Sequence, residues 1–298
     1  MANIKVSAAD VLSGIAAPSE RTFRNRIVGL VTLQRVGLCI AVLPFALGVA
    51  ALAGARFNLQ LLPLIVVAFL GGTAASMTND IVDMERDKRK WPLKPLATGL
   101  ISRSEAILYT VILAGAAFAI AALVFSWFFT TLVLVALALS YLYVHYTRDH
   151  IGYLTVIPVF ACIPVAIWGA YSLGTVLTPL PWLIVIFGAG WTTAVQITHE
   201  GLDPAIPALF VRPRPTAERT LYVVSILVMF VVGIAIFFYA QLSPLYLVAL
   251  TILVAWILIY AKNLGENRPR KKLESAYRVI FTSISFYFLL IAIFVWIM

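Results

Sequence analysis

Nine apolar runs, each near the length of a membrane-crossing helix, constrain this chain more than anything else in it. They lie at roughly 27–53, 58–84, 104–126, 128–146, 151–173, 180–200, 218–240, 243–262 and 276–298. At helical rise, about 20 apolar residues cross the hydrocarbon layer of a bilayer. Only 12% of the 298 residues are charged and 62% are hydrophobic, with a mean hydropathy of +0.98. A soluble domain carries about 25% charged residues. A water-soluble globule of this size could not hide so much apolar surface, and a disordered chain would be far more polar. The runs predict an all-α, polytopic membrane protein with nine transmembrane helices. Residues 1–26 are polar and lack a signal-type apolar core. They read as an N-terminal segment, with 27–298 as one transmembrane domain.

The charges divide by side. With the N-terminus placed in the cytoplasm, 20 of the 22 Lys and Arg fall in cytoplasmic segments or at the cytoplasmic ends of helices. The positive-inside rule then sets the N-terminus inside and the C-terminus on the opposite side. All 13 acids also lie at that face. Acids contribute little to the rule, so their placement calls for another cause. A net charge of +9 in a soluble chain would suggest nucleic acid. Here it is mostly topology, and no nucleic-acid partner is expected.

The second run ends in Asn79-Asp80-Ile81-Val82-Asp83-Met84-Glu85-Arg86-Asp87. Asp80, Asp83 and Asp87 are spaced i, i+3, i+7 and share one helix face. Three carboxylates so placed repel one another and call for a cation between them. Their oxygens are hard ligands suited to Mg²⁺, which is typically shared with substrate phosphates. The sixth run ends in His199-Glu200-Gly201-Leu202-Asp203, and Glu200 and Asp203 stand 120 residues after Asp80 and Asp83. Thr78 matches Thr198, Pro95 matches Pro215, and Lys94 faces Arg214 at the same offset. This register reads as an internal repeat of about 120 residues. Two acidic sites suit two metal ions about a diphosphate. Breaking a C–O bond to diphosphate also needs basic clamps in a dry site. Lys88, Lys94, Arg148 and Arg214 are the candidates. Arg35 lies inside the first run, where an unpaired charge is costly. His199 adjoins Glu200 and is a candidate contact to diphosphate.

At these residues the chain resembles the UbiA superfamily of intramembrane prenyltransferases. The match is Asn79-Asp80-x-x-Asp83-x-x-x-Asp87, followed by Lys94-Pro95-Leu96-Ala97-Thr98-Gly99, where the family usually has Arg first. The resemblance implies a helical bundle around a central cavity, with a cytoplasmic active site. It implies a polyprenyl diphosphate held by Mg²⁺, two ions in all, between two acidic motifs. Ionisation would give an allylic cation that an aromatic or lipid-like acceptor captures. Carried over by position, Asp80, Asp83 and Asp87 are metal ligands and Asn79 their polar partner. Glu200 and Asp203 form the second catalytic and metal-binding pair. Arg35, Lys94 and Arg148 match basic positions of the family and are expected to bind the substrate, with Lys88, His199 and Arg214 as further candidate contacts to it. The second motif departs from the family pattern, with Pro207 at its third place. A cyclase of the same superfamily, quenching the cation internally, is therefore the alternative. A transporter would place ionisable groups near the midplane, which is nearly bare here apart from Arg35.

Overall fold

A computed structural model describes residues 22–148, 153–200, 215–261 and 270–297. These form helices throughout, with no strand among them. In chain order the helices are α1 (Phe23–Leu33), α2 (Val36–Leu52), α3 (Leu62–Val82), α4 (Met84–Lys90), α5 (Arg103–Val124) and α6 (Trp127–Leu142). They continue as α7 (Ile157–Ser172), α8 (Pro179–Glu200), α9 (Pro215–Ala240), α10 (Pro244–Ala261) and α11 (Arg270–Ile297). Six stretches are long and apolar enough to cross a membrane: Leu59–Val82, Arg103–Val124, Trp127–Thr147, Leu154–Thr175, Pro179–Thr198 and Arg219–Ala240. Further apolar stretches, Val42–Leu52, Pro244–Ile259 and Thr282–Ile297, lie within α2, α10 and α11. Six of the nine expected crossings, the second through the seventh, thus have a helix long and apolar enough to span among the described residues.

The first run is shortened for a local reason. Arg35 takes a left-handed backbone, φ 49°, and splits residues 27–53 into α1 and α2. The Gln34 N–H bonds back to the Leu30 carbonyl and the Arg35 N–H to the Thr32 carbonyl, closing α1 at the turn. Elsewhere the helix starts follow their side chains. Thr22 Oγ1 accepts from the Asn25 N–H to cap α1, and Ser126 Oγ accepts from Phe129 to cap α6. At α5, Ser102 Oγ accepts from the Glu105 N–H while a Glu105 oxygen accepts from the Ser102 N–H. That reciprocal pair is a capping box and satisfies two donors that the helix cannot.

The described chain forms two compact units. One holds residues up to 43 together with 63–124, and the other holds 44–62 and the chain from 125 onward. In the first, Leu33, Met77, Ile81, Leu96, Ile101 and Leu113 share one buried cluster. In the second, α8 packs on α7, α9 and α11, and α10 packs on α9 and α11. Phe45, Phe187, Tyr287 and Phe288 interlock at its centre. Two buried tyrosines tie α9 to α10: Tyr222 donates to the Ile257 carbonyl at 2.9 Å and Tyr246 to the Gly233 carbonyl at 3.0 Å. Outward positions are strongly apolar. Leu123, Trp127, Val231 and Phe238 are among the exposed side chains. A chain with a dry core and an equally greasy exterior has lipid as its natural solvent.

Candidate active site at the end of the second apolar run

The chemistry-bearing residues of the first unit meet where α3 ends. Helix α3 carries Asn79 and Asp80 in its last turn, and the chain bends at Asp83 before α4 begins. The bend is slight in hydrogen-bonding terms. The Asp83 N–H still reaches the Asn79 carbonyl at 2.9 Å, and the Asp87 N–H reaches the Asp83 carbonyl at 2.7 Å. The i, i+4 ladder therefore carries Asp80, Asp83 and Asp87 past the end of α3 in helical register.

Asp80 is 2% exposed and sits between two cations. Arg35 Nε donates to Asp80 Oδ2 at 3.3 Å, and its Nη2 donates to Asp80 Oδ1. The planar guanidinium thus grips both oxygens. Lys94 Nζ donates to Asp80 Oδ1 at 2.8 Å and to Asp87 Oδ2 at 2.7 Å. One ammonium therefore bridges two buried carboxylates. Asp83 pairs with Arg86 Nη1 at 3.3 Å. Burial pushes the Asp87 carboxyl above its ordinary value, and its neighbours Asp80 and Asp83 push the same way, against the pull of Lys94.

The segment after α4 delivers Lys94 to this position. The Trp91 N–H closes α4 on the Asp87 carbonyl, and the Lys94 N–H bonds to Trp91. Pro95 cannot donate, yet its carbonyl accepts from Ile101 at 3.2 Å, so the segment closes as a compact loop. Gly99 takes φ 71°, where a side chain would be strained. Leu96 and Ile101 then plug into the core cluster beside Met77 and Ile81. The buried leucine anchors the loop, and Lys94 is held over the acids by that anchor.

Arg35 reaches Asp80 because the chain breaks there. An Arg in a continuous helix would follow the helix surface, whereas the left-handed turn re-aims the residue between α1 and α2. Beside it, Gln34 donates to the Tyr109 hydroxyl on α5. On the rim of the same unit, Arg26 pairs with Glu105. Tyr109, Arg86 and Glu105 were not singled out from sequence. The Asp83–Arg86 spacing of three residues was a readable signal for the second of these.

Lys88 is exposed and pairs with Glu85 at 2.7 Å. Arg148 belongs to the second unit, is 3% exposed, and follows a π-helical turn over Tyr143–Thr147. Such turns often mark functional positions. His199 and Glu200 are the last residues of α8. Asp203 and Arg214 lie outside the described residues.

Among the described residues, no three His, Cys, Asp or Glu side chains gather closely enough to hold a metal ion together. The convergent pair is Asp80 and Asp87, and the Lys94 ammonium stands where their oxygens meet. Two hard oxygen donors aimed at one cation are a donor pair that Mg²⁺ accepts when substrate phosphates complete its shell. The residues present therefore fit a divalent cation in donor chemistry.

The UbiA prenyltransferase family profile matches residues 41–297. No curated protein matches the sequence. Several solved structures share the fold. A digeranylgeranylglyceryl phosphate synthase is 14% identical, with a TM-score of 0.69 over 92% of this chain and 99% of its own. A UbiA homolog from Aeropyrum pernix K1 is 20% identical, with a TM-score of 0.67 over 87% and 98%. A UbiA homolog from Archaeoglobus fulgidus bound to GPP and Mg²⁺ is 17% identical, with a TM-score of 0.64 over 92% and 100%.

Proposed function

Because this chain belongs to the UbiA prenyltransferase family, we propose that it transfers a polyprenyl group from a polyprenyl diphosphate to an aromatic or lipid-like acceptor. The observation that carries this reading is the buried acid pair Asp80–Asp87 converging on one cation, inside a chain matched by the family along most of its length. Structures of the same fold from Archaeoglobus fulgidus hold GPP or DMAPP with Mg²⁺, which supports a prenyl diphosphate and a divalent metal for this protein.

In this reading Asp80, Asp83 and Asp87, with Asn79 beside them, hold a divalent cation, and Glu200 and Asp203 supply ligands for a second. Mg²⁺ bound there would neutralise charge growing on the diphosphate as it leaves. The protein's own residues do the rest. Arg35 fixes Asp80 by gripping both of its oxygens. Lys94, Arg148, His199 and Arg214 bind phosphate oxygens. The bond that breaks is the prenyl C1–O bond, and its electron pair departs with the diphosphate. The allylic cation is captured by a nucleophilic atom of the acceptor, which then loses a proton. Buried side chains around the site exclude the water that would otherwise quench the cation. The positive-inside count supports a cytoplasmic face for this chemistry, with the N-terminus on that side and the C-terminus opposite.

The test is diphosphate release by purified protein given isoprenyl diphosphates of several lengths and Mg²⁺, with and without a panel of acceptors. Release that requires an acceptor is the expected result. Release without acceptor, together with a cyclic hydrocarbon, would establish the cyclase instead. The incomplete second motif, with Pro207 in its third place, is the feature that favours that second reading. No release at any chain length or with any divalent ion would rule out both.

A further inference from the structure

We propose that Lys94 is an internal cation that keeps the Asp80–Asp87 pair closed to metal until a diphosphate draws it away. The inference rests on the prenyl-diphosphate reading above and adds a rule about the order in which the site fills. Its first support is position. Lys94 Nζ lies 2.8 Å from Asp80 Oδ1 and 2.7 Å from Asp87 Oδ2. Mg²⁺ binds carboxylate oxygens at about 2.0–2.1 Å and demands a near-octahedral shell. A metal reaching those two oxygens would meet the ammonium almost in contact, so one of the two cations must leave.

The second support is charge. Three acids, Asp80, Asp83 and Asp87, are matched by three bases, Arg35, Lys94 and Arg86. Each of the three acids thus already has a cation beside it among the described residues. A divalent cation arriving alone would leave excess positive charge in a poorly hydrated place, which is costly. A diphosphate arriving with the metal supplies the missing negative charge and also offers Lys94 a new partner. Lysine suits this exchange better than arginine. Its ammonium is a compact point charge on a four-carbon stem with three rotatable donors, whereas a guanidinium is a fixed fork. The loop that carries Lys94 is pinned by buried Leu96 and Ile101, so the side chain can swing while its backbone stays.

The consequence is that the protein takes up little metal by itself, because the ammonium already occupies the point where the two acids meet. Manganese(II) reports this directly, since its paramagnetic resonance signal separates free from bound ion. Wild-type protein, Lys94→Met, Lys94→Arg and Lys94→Gln are titrated with Mn²⁺ in detergent, with no diphosphate present. Lys94→Met removes the charge at similar length and is expected to bind Mn²⁺ at least tenfold more tightly than wild type. Lys94→Arg is expected to stay as weak as wild type. Lys94→Gln carries the same expectation as the Met variant and replaces it if that protein does not elute as a folded species. Adding Asp80→Asn to the Lys94→Met protein is expected to abolish the gain. The proposal is overturned if the charge-removing variants bind no more tightly than wild type, including the case where none of the proteins takes up Mn²⁺. It is equally overturned if the gain survives Asp80→Asn. No substrate is present, so the outcome is independent of whether prenyl transfer occurs.

Discussion

At the scale of single residues, the site is a short chain of opposite charges in which Asp80 is the centre. Its two partners differ in how they were brought there. Lys94 arrives on a loop, and Arg35 arrives by a backbone conformation that L-residues avoid. A non-glycine residue in the left-handed region costs about 1–2 kcal/mol, and here the cost accompanies a fork-like grip on a buried carboxylate. The backbone and side-chain contributions can be separated. Arg35→Gly and Arg35→Ala both delete the guanidinium, but only glycine adopts φ 49° without strain. Arg35→Gly is therefore expected to unfold at higher temperature than Arg35→Ala, by the equivalent of about 1 kcal/mol. Both should fall below wild type, because Asp80 loses a partner in a buried place. Thermal melts in one detergent check the order. An alanine variant as stable as the glycine variant would show that the turn is not strained. None of this was visible in the sequence. Spacing alone showed that Asp80, Asp83 and Asp87 share a face and need cations. It could not show which cations answer, because Arg35 and Lys94 lie 45 and 14 residues away along the chain.

At the scale of elements, hydrophobic length was readable and interruptions were not. The runs at 104–126, 128–146 and 180–200 coincide closely with α5, α6 and α8. The run at 27–53 reads as one helix because only Gln34 and Arg35 interrupt it, and a single polar pair does not break periodicity. The left-handed turn at Arg35 that breaks it accompanies a tertiary contact with Asp80, which the run itself does not show. Helix contacts in the second unit show the opposite case, where a small residue permits an approach that hydropathy does not report. A Cβ at Gly190 on α8 would lie 2.8 Å from Met229 Cγ and 2.9 Å from the Ser225 carbonyl on α9. The carbonyl belongs to the backbone and cannot step aside. In lipid, helices associate through such close packing because no hydrophobic drive separates them from solvent. Gly190→Val is expected to cost about 1–3 kcal/mol by overpacking and to lower the yield of folded protein. Gly115 on α5 has open space at its Cβ position, so Gly115→Ala is the matched control and should be neutral or slightly stabilising. Comparable melting temperatures for the Gly190 and Gly115 variants would contradict the close α8–α9 contact.

At the scale of the whole molecule, a few charges carry the functional information. The 12% of residues that are charged carry the expected orientation of the chain and suggest where chemistry occurs. The family profile then places the chain in the UbiA prenyltransferase family, and the solved structures share its fold. Sequence and structure are complementary here. The motif Asn79-Asp80-x-x-Asp83-x-x-x-Asp87 named the acids, and the structure added the Lys94 bridge and the Arg35 clamp. The second acidic pair, Glu200 and Asp203, is legible only as a register 120 residues on from the first. The central claim is that the acids at the end of α3 support the breaking of a prenyl diphosphate. Its most direct test compares Mg²⁺-dependent diphosphate release by wild-type protein with that of Asp80→Ala and Asp83→Ala, each first shown to elute as a folded species. The expected result is turnover by wild type that falls at least a hundredfold in each variant. Full activity in both variants would contradict the assignment of this site.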